Sequence, residues 1–273
     1  MSASQPLASA SVILLDPQRG GGEPFGLYLL RRRAESRFMP NRFVFPGGRV
    51  DPHDGPDPAS DQALRVCALR ELWEESGVLL APELERGGGP DTRELNRARR
   101  ALQEQGAGLA QTLAGLGLSP HLTALRPYAR WITPLARSQR FDTLFFLARM
   151  PAGQEADADR QETSEGLWLG PRQALAENLE GRVELAPPQV RILGELAAAG
   201  GLDRLWESAG AGGLEPVLPV LWIRGEQRVI LLPADPDYAA GAPGDPDNPG
   251  LACPAHQATR LVHSQGRWRP CRP

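Results

Sequence analysis

Apolar residues occur along this chain in short runs that alternate with polar, glycine-rich and proline-rich segments. Short runs rich in branched and aromatic side chains predict strands, whereas longer patterns with three- and four-residue spacing predict helices. The predicted strands are residues 11–15, 26–30, 43–45, 128–133, 143–148 and 167–169. The predicted helices are residues 61–76, one or two within 91–116, 171–180 and 187–199. This mixture predicts an α+β fold, in which strands and helices do not follow a strict βαβ order.

The pattern changes after residue 213. Apolar runs at residues 217–223 and 228–232 are separated by Gly225 and predict a hairpin, and another strand-like run lies at 261–268. We therefore expect a main domain at residues 1–213, with a helical insertion at about 83–120, followed by a β-rich C-terminal extension at 214–273.

The helix predicted at residues 61–76 carries an unusual group of acidic side chains. Glu71, Glu74 and Glu75 have the spacing i, i+3 and i+4, which places them on one face, away from the apolar positions of the same helix. Gly77 is a suitable helix stop because glycine readily adopts the left-handed conformation. Three converging carboxylates repel each other unless a cation lies among them, and oxygen ligands suit Mg²⁺ or Mn²⁺. The alternative interpretation is an acidic helix face exposed to solvent.

The basic residues restrict the chemistry further. The count of Lys plus Arg is 30, and all of them are arginines because the sequence contains no lysine. This composition excludes a Schiff-base lysine, a lysine general base and a phosphate-binding loop of the GxxxxGK[ST] type. Phosphate recognition must therefore use arginine, whose planar guanidinium can contact two oxygens at once.

Charge and cysteine content point to the compartment and the partners. A net charge of −3 gives no general attraction to nucleic acid. The three cysteines are odd in number and lack CxxC spacing, which favours a reducing compartment. The sequence shows no basic leader and no run of 18 apolar residues. We expect a cytoplasmic protein that acts on a small molecule without binding nucleic acid or a membrane, and a homodimer stays an open alternative.

Two segments of the chain resemble the signature of the Nudix hydrolases. They are Phe45-Pro46-Gly47-Gly48 and Arg70-Glu71-Leu72-Trp73-Glu74-Glu75-Ser76-Gly77-Val78. The second segment matches R-E-U-x-E-E-x-G-U, in which U is a large aliphatic residue, without a substitution. Two further segments look like the branch related to peroxisomal coenzyme A diphosphatases, namely Trp131-Ile132-Thr133-Pro134 and Arg140-Phe141-Asp142-Thr143. The resemblance implies an α/β/α sandwich with a mixed sheet.

The chain departs from the family motif between its two halves. Arg70 lies 22 positions after Gly48, where the family spacing is 14, so eight residues are inserted. The first glutamate of the motif is also missing. Asp54 stands six positions after Gly48, and Gln62 has the expected offset before Arg70. Either residue is a candidate for the structural work of that glutamate.

The resemblance also implies a role for individual residues. Metal ligands would be Glu71, Glu74, Glu75 and the carbonyl of Gly47, and the structural residues would be Gly48, Arg70 and Gly77, with a phosphate contact as the alternative role of Arg70. Catalytic candidates are Glu74 and, as a general base on a later loop, Glu165, with Glu162 as its alternative. Candidate phosphate-binding residues are Arg33, Arg37 and Arg140, although surface arginines without such a role are common.

The function implied by the resemblance is metal-dependent hydrolysis of the pyrophosphate linkage in a nucleoside diphosphate conjugate. Coenzyme A or acyl-coenzyme A is the candidate substrate, and the cofactor would be Mg²⁺ or Mn²⁺. A non-catalytic binding or regulatory module with the same fold is the alternative, because a fold alone does not determine function. A cap-removing RNA hydrolase would share the chemistry, but the acidic overall charge disfavours it.

Overall fold

The structure is a computed structural model of the chain, and it describes residues 4–36, 39–210 and 214–273. A mixed sheet lies at its centre. The strands of this sheet are β1 (Leu7–Asp16), β2 (Gly26–Arg32), β3 (Phe43–Val44), β4 (Gly47–Arg49), β5 (Arg126–Ile132), β6 (Phe141–Arg149) and β7 (Thr163–Leu169). Their order is β3-β2-β1-β6-β5, with β4 beside β1 and β7 beside β2.

The central strand β1 has different neighbours along its length. It is parallel to β6 over its whole extent, whereas on its other side the first half pairs with β4 and the end pairs with β2. Ser11 lies opposite Gly47, and Leu15 lies opposite Leu27. The chain therefore leaves the sheet between β3 and β4 and returns beside the middle of β1, which brings the two glycines of β4 next to the sheet centre.

Helices cover both faces of this sheet. They are α1 (Asp61–Ser76), α2 (Pro82–Glu85), α3 (Thr92–Gln105), α4 (Leu109–Gly115), α5 (Pro171–Glu180), α6 (Pro187–Ala198) and α7 (Leu202–Ser208). Alternate side chains of β1 point to opposite faces. Val12 and Leu14 join the core with α1, α3 and α4, whereas Ile13 and Leu15 join the core with α5 and α6. This arrangement is the predicted α/β/α sandwich.

The helix that carries the acidic residues has clear ends. Ser60 caps its first turn, because the Ser60 hydroxyl accepts a hydrogen bond from the Ala63 amide at 3.2 Å. Gly77 ends it in the left-handed conformation at φ 74°, and its amide donates to the Trp73 carbonyl at 2.9 Å. Cys67 is fully buried on the apolar face of the helix.

The C-terminal part forms a second, antiparallel sheet. Its strands are β8 (Val220–Arg224), β9 (Gln227–Leu231), β10 (Leu251–Ala252), β11 (Arg260–Ser264) and β12 (Arg267–Arg272), in the order β10-β12-β11-β9-β8. Leu261 and Trp268 pack into the same core as α5 and α6. The buried Asn178 amide group of α5 also donates to the Trp268 carbonyl at 3.1 Å. The predicted hairpin around Gly225 is confirmed as β8 and β9.

Most predicted elements occur close to their expected positions, and the helices at 91–116 are the two helices α3 and α4. The short strands β4 and β10 and the helices α2 and α7 were not predicted, and the run at 261–268 is not one strand but spans the hairpin of β11 and β12. Two of the three residues of β4 are glycines, which have low strand propensity, so its pairing depends on the neighbouring β1. Within the described ranges, no helix has both the length and the apolar character needed to cross a membrane.

Candidate metal and active site

The last two turns of α1 carry three carboxylates that are largely shielded from solvent. The side chains of Glu71 and Glu74 are 13% and 16% exposed, and Glu75 is 3% exposed. Ionised carboxylates are rarely buried to this extent unless a cation or several hydrogen bonds compensate for the lost hydration. Their burial argues against the alternative of a solvated acidic face.

Of the two glycines of β4, Gly48 allows α1 to lie very close to the sheet, and Gly47 allows β4 to lie close to β1. A Cβ atom at Gly48 would collide with the carboxylate of Glu71, and a Cβ atom at Gly47 would collide with the carbonyl of Ala10. The Gly47 amide also donates to Oε2 of Glu75 at 2.8 Å. The glycine pair is therefore required by the close approach of backbone and carboxylates.

Arg70 is the cation that lies nearest to these acids. Its Nε and Nη2 each donate to the buried carboxylate of Asp54 at 2.9 Å, and its Nη2 also donates to the Arg49 carbonyl at 3.0 Å. Its Nη1 donates to Glu71 at 2.8 Å and to Glu74 at 2.9 Å. The partner of Arg70 is therefore Asp54 and not Gln62, which is exposed. Through this contact Arg70 holds the inserted loop, which contains Asp54, against α1.

One guanidinium does not neutralise all of these acids. Burial raises the pKa of Glu71 to about 7, despite the opposing effect of Arg70. Burial also raises the pKa of Glu74. The pKa of Glu75 lies well above its usual value because of burial, with a further contribution from the charge of Glu71. The site thus holds more negative charge than it can stabilise, and a cation would relieve the repulsion.

A loop between β6 and β7 adds further acidic groups. The Asp159 amide donates to the carbonyl of Glu75 at the end of α1, at 3.0 Å. The Asp159 carboxylate accepts hydrogen bonds from the amides of Glu162 and Thr163 at 3.2 and 3.0 Å, and from the Thr163 hydroxyl at 2.7 Å. Asp159 therefore fixes the turn that carries Glu162 and joins this turn to the acidic helix.

These elements enclose a small polar cavity of about 100 Å³. It is lined by Glu71, Glu74, Glu75, Gln103, Asp159, Gln161 and Glu162. A larger cavity of about 370 Å³ lies on the second sheet, around Val229, Val262 and Arg269, but no acidic residue lines it. The chemistry of the lining, and not the volume, identifies the smaller cavity as the candidate site.

The residues around the small cavity fit a hard divalent cation. The lining supplies carboxylate oxygens and the side-chain amide oxygens of Gln103 and Gln161, with no histidine or thiol, which suits Mg²⁺ or Mn²⁺ better than Zn²⁺. Among the residues that the structure describes, no three acidic, histidine or cysteine side chains are already gathered as a metal cage. Arg70 and the Gly47 amide hold the carboxylate oxygens in their present directions.

The two candidate general bases occupy different environments. Glu165 lies on β7 opposite Arg31, is about half exposed, and has its carboxylate 3.7 Å from the guanidinium of that arginine. Glu162, in contrast, lines the acidic cavity. The structure therefore brings Glu162, and not Glu165, together with the carboxylates of α1.

The candidate phosphate-binding arginines are also separated. Arg33 donates to the carbonyl of Arg160 at 3.1 Å, and its amide donates to the carbonyl of Glu162, so it borders the loop of the site. Arg140 is buried, and its guanidinium donates to the carbonyls of Thr133 and Ser4. These backbone contacts give Arg140 a role in joining the N-terminal segment to β6, which corrects the expectation of a substrate contact. Arg37 lies outside the described residues.

Three residues of the cavity, Gln103, Asp159 and Gln161, were not predicted from the sequence. Asp159 was missed, although an aspartate before a short polar turn is a common signal for side-chain capping of backbone amides. Gln103 was missed because it lies on α3, and the sequence of α3 does not indicate that this helix contacts α1.

The carboxylates of α1 and the acidic loop between β6 and β7 together form a site that suits a divalent cation. Residues 56–196, which are 141 of 273, match the family model described as the NUDT19 Nudix domain. The chain is 30% identical to the acyl-coenzyme A diphosphatase NUDT19 of Gallus gallus, over 89% of this chain and 81% of that protein. It is 26% identical to the protein of the same name from Xenopus laevis, over 92% of this chain and 81% of that protein.

A solved structure gives the same result. The crystal structure of a NUDIX hydrolase from Alicyclobacillus acidocaldarius superimposes with a TM-score of 0.67 at 27% sequence identity, and the match covers 78% of this chain and all of that chain. The chain therefore belongs to the Nudix hydrolases, in the group defined by the NUDT19 Nudix domain. This result confirms the predicted family, fold class and enzyme class.

Proposed function

We propose that this protein is a diphosphatase that hydrolyses the pyrophosphate linkage of coenzyme A or acyl-coenzyme A with the help of Mg²⁺ or Mn²⁺. The observation that carries the proposal is the group of buried carboxylates at the end of α1, which faces a cavity with two more acids. The relatives named acyl-coenzyme A diphosphatase support the choice of substrate.

In this proposal the acidic residues divide into two groups. Glu71, Glu74, Glu75 and the Gly47 carbonyl would hold the divalent cation, which would neutralise phosphate charge and lower the pKa of a bound water. Glu162 accepts a proton from the attacking water at its carboxylate. The water oxygen forms a new bond to phosphorus, the bond from phosphorus to the bridging oxygen breaks, and the leaving phosphate keeps that electron pair.

Several residues act indirectly in this proposal. Arg70 and Asp54 hold the inserted loop, Gly48 makes room for the Glu71 carboxylate, and Gly77 ends the helix directly after the last acidic residue. Arg33 is the phosphate-binding candidate beside the loop of Glu162, and Arg37 stays a candidate from the sequence.

Initial rates on a substrate panel test the proposal. Purified protein is incubated with Mg²⁺ or Mn²⁺ and with acyl-coenzyme A, free coenzyme A, ADP-ribose and a dinucleoside tetraphosphate. We expect turnover only with a divalent cation, and the highest kcat/KM for coenzyme A or its acyl derivatives. If a folded sample binds a panel member but hydrolyses none, the protein is a binding module, and the proposal is wrong.

Three further features stay predictions. The acidic charge balance favours a small-molecule substrate over RNA, and binding of a capped RNA in a filter assay would contradict this preference. Cytoplasmic localisation and a homodimeric state are checked by cell fractionation and by light scattering on the purified protein.

A further inference from the structure

Helix α3, which belongs to the insertion between α1 and β5, makes direct contact with the last turn of α1. Arg99 donates to the carbonyl of Glu74 twice, from Nε at 3.1 Å and from Nη2 at 2.8 Å. Gln103, one turn further along α3, donates to the same carbonyl from its side-chain amide at 2.8 Å. Three donors on two side chains therefore meet one acceptor atom.

This carbonyl needs an external partner because of the way α1 ends. The last carbonyls of a helix have no intrahelical donor. If the helix continued, the Val78 amide would donate to the Glu74 carbonyl. In this structure the Val78 amide donates to the Ser76 hydroxyl at 3.2 Å instead. A guanidinium is well suited to this position, because it also compensates the negative end of the helix dipole.

The neighbouring carbonyls of the same turn are also bound by other segments. The Asp159 amide donates to the carbonyl of Glu75 at 3.0 Å, and the Asp157 amide donates to that of Ser76 at 2.8 Å. Of these contacts, only those of Arg99 and Gln103 come from the insertion, and Gln103 also lines the acidic cavity. The insertion thus forms a wall of the site and holds the helix that carries the ligands.

We propose that Arg99 and Gln103 are positioning residues that hold the last turn of α1, so that Glu74 and Glu75 are aligned for the divalent cation. This inference rests on the proposed function. Partners of this kind orient the metal ligands without touching the metal, and their loss usually lowers metal affinity or activity by about 10-fold to 100-fold.

The test compares three substitutions on α3. Arg99→Leu removes the charge and the donors, Arg99→Lys retains a charge and a donor, and Arg97→Leu is the control because Arg97 is exposed on the same helix. For Arg99→Leu we expect a roughly 10-fold or larger fall in kcat, an increase in the Mn²⁺ concentration for half-maximal rate, and a KM within about twofold of the parent. Arg99→Lys is expected to recover part of the loss, and Arg97→Leu to match the parent.

Two measurements do not depend on turnover. Titration calorimetry with Mn²⁺ should show weaker binding for Arg99→Leu, and hydrogen exchange should be faster in peptides covering residues 72–79. If parent protein shows no hydrolysis of any panel substrate, the proposed function fails, and these two measurements still decide whether the contact positions the helix.

The inference is wrong if Arg99→Leu keeps parental kcat, Mn²⁺ binding and hydrogen exchange, or if Arg97→Leu changes them equally. A lower melting temperature with unchanged kcat and Mn²⁺ binding would also overturn it, because that result indicates a purely structural contact. Should Arg99→Leu fail to fold, Gln103→Leu serves as the second variant, with a smaller loss in the same direction.

Discussion

Glu71→Gln tests whether the ionised carboxylate of Glu71 destabilises the folded protein in the absence of a cation. The substitution keeps the shape of the side chain and an oxygen that accepts the hydrogen bond from Arg70 Nη1, which is 2.8 Å long in the parent. It removes a carboxylate whose side chain is 13% exposed and whose pKa burial raises from 4.5 to about 7. Arg70 keeps the bidentate contact with Asp54.

The magnitude follows from linkage between protonation and folding. The folded state binds a proton at Glu71 more tightly than the unfolded state, so the free energy of unfolding falls as pH rises from 4.5 to 7. Ionisation of this group destabilises the fold by about 1 kcal/mol at pH 5 and about 3 kcal/mol at pH 8. Glu71→Gln removes this cost, so the metal-free variant should be more stable than the parent, mainly at the higher pH.

Urea denaturation of EDTA-treated protein at pH 5 and pH 8 measures this difference. Glu104→Gln, which replaces an exposed carboxylate on α3, is the matched control and should change stability little at either pH. Glu71→Gln should also lose most of its hydrolytic activity, because a proposed metal ligand is gone. The reasoning is refuted if Glu71→Gln is less stable than the parent at pH 8, or if its gain is the same at both values of pH.

Other substitutions and conditions test neighbouring parts of the account. Asp54→Ala leaves the buried guanidinium of Arg70 without its main partner, and urea denaturation should show a loss of about 3 kcal/mol; an unchanged midpoint would contradict the assigned role. Mn²⁺ should raise the melting temperature more at pH 8 than at pH 5, since protons compete for Glu71, and the opposite order in a thermal scan would count against metal binding there. Glu162→Gln should lower kcat by about 100-fold or more while Glu165→Gln stays close to the parent in initial-rate assays, and the reverse result would identify Glu165 as the general base.

The central helix could be predicted from the sequence because its signals are local. Apolar spacing and the stop at Gly77 both act within a few residues of α1, and the structure contains each of them. The acidic face followed from the same spacing. The burial of this face could not be predicted, because it depends on how closely Gly48 allows the helix to approach the sheet.

The choice between the two later glutamates could not be made from the sequence. Glu162 and Glu165 are three positions apart, and their directions depend on where β7 begins and on its register with β2. Register places Glu165 opposite Arg31, while the side chain of Asp159 fixes the turn that presents Glu162 to the cavity. The pairing of Glu165 with Arg31 has no signal in the local pattern of residues, and the signal of Asp159 predicts a turn but not the direction in which that turn presents Glu162.

The hydrogen-bond acceptors of two arginines, which lie far away in the sequence, also could not be predicted. Arg140 resembled a phosphate-binding residue by its position in a family-like motif, but its guanidinium is used by the backbone carbonyls of Thr133 and Ser4. Arg99 carried no signal at all, since its acceptor is a backbone carbonyl 25 residues earlier in the chain. Contacts of this kind are set by the packing of helices and strands and not by local sequence.

Product identification in water enriched in ¹⁸O shows which bond the protein cleaves and whether the cleavage requires a divalent cation. Acyl-coenzyme A is incubated with the protein, with and without Mg²⁺ or Mn²⁺, and the products are analysed by mass spectrometry. We predict two phosphate monoesters, adenosine 3′,5′-bisphosphate and acyl-4′-phosphopantetheine, of which one carries a single ¹⁸O atom, and we predict that neither forms without the cation. Release of the free acid and intact coenzyme A, or formation of the monoesters without a divalent cation, would contradict a metal-dependent diphosphatase.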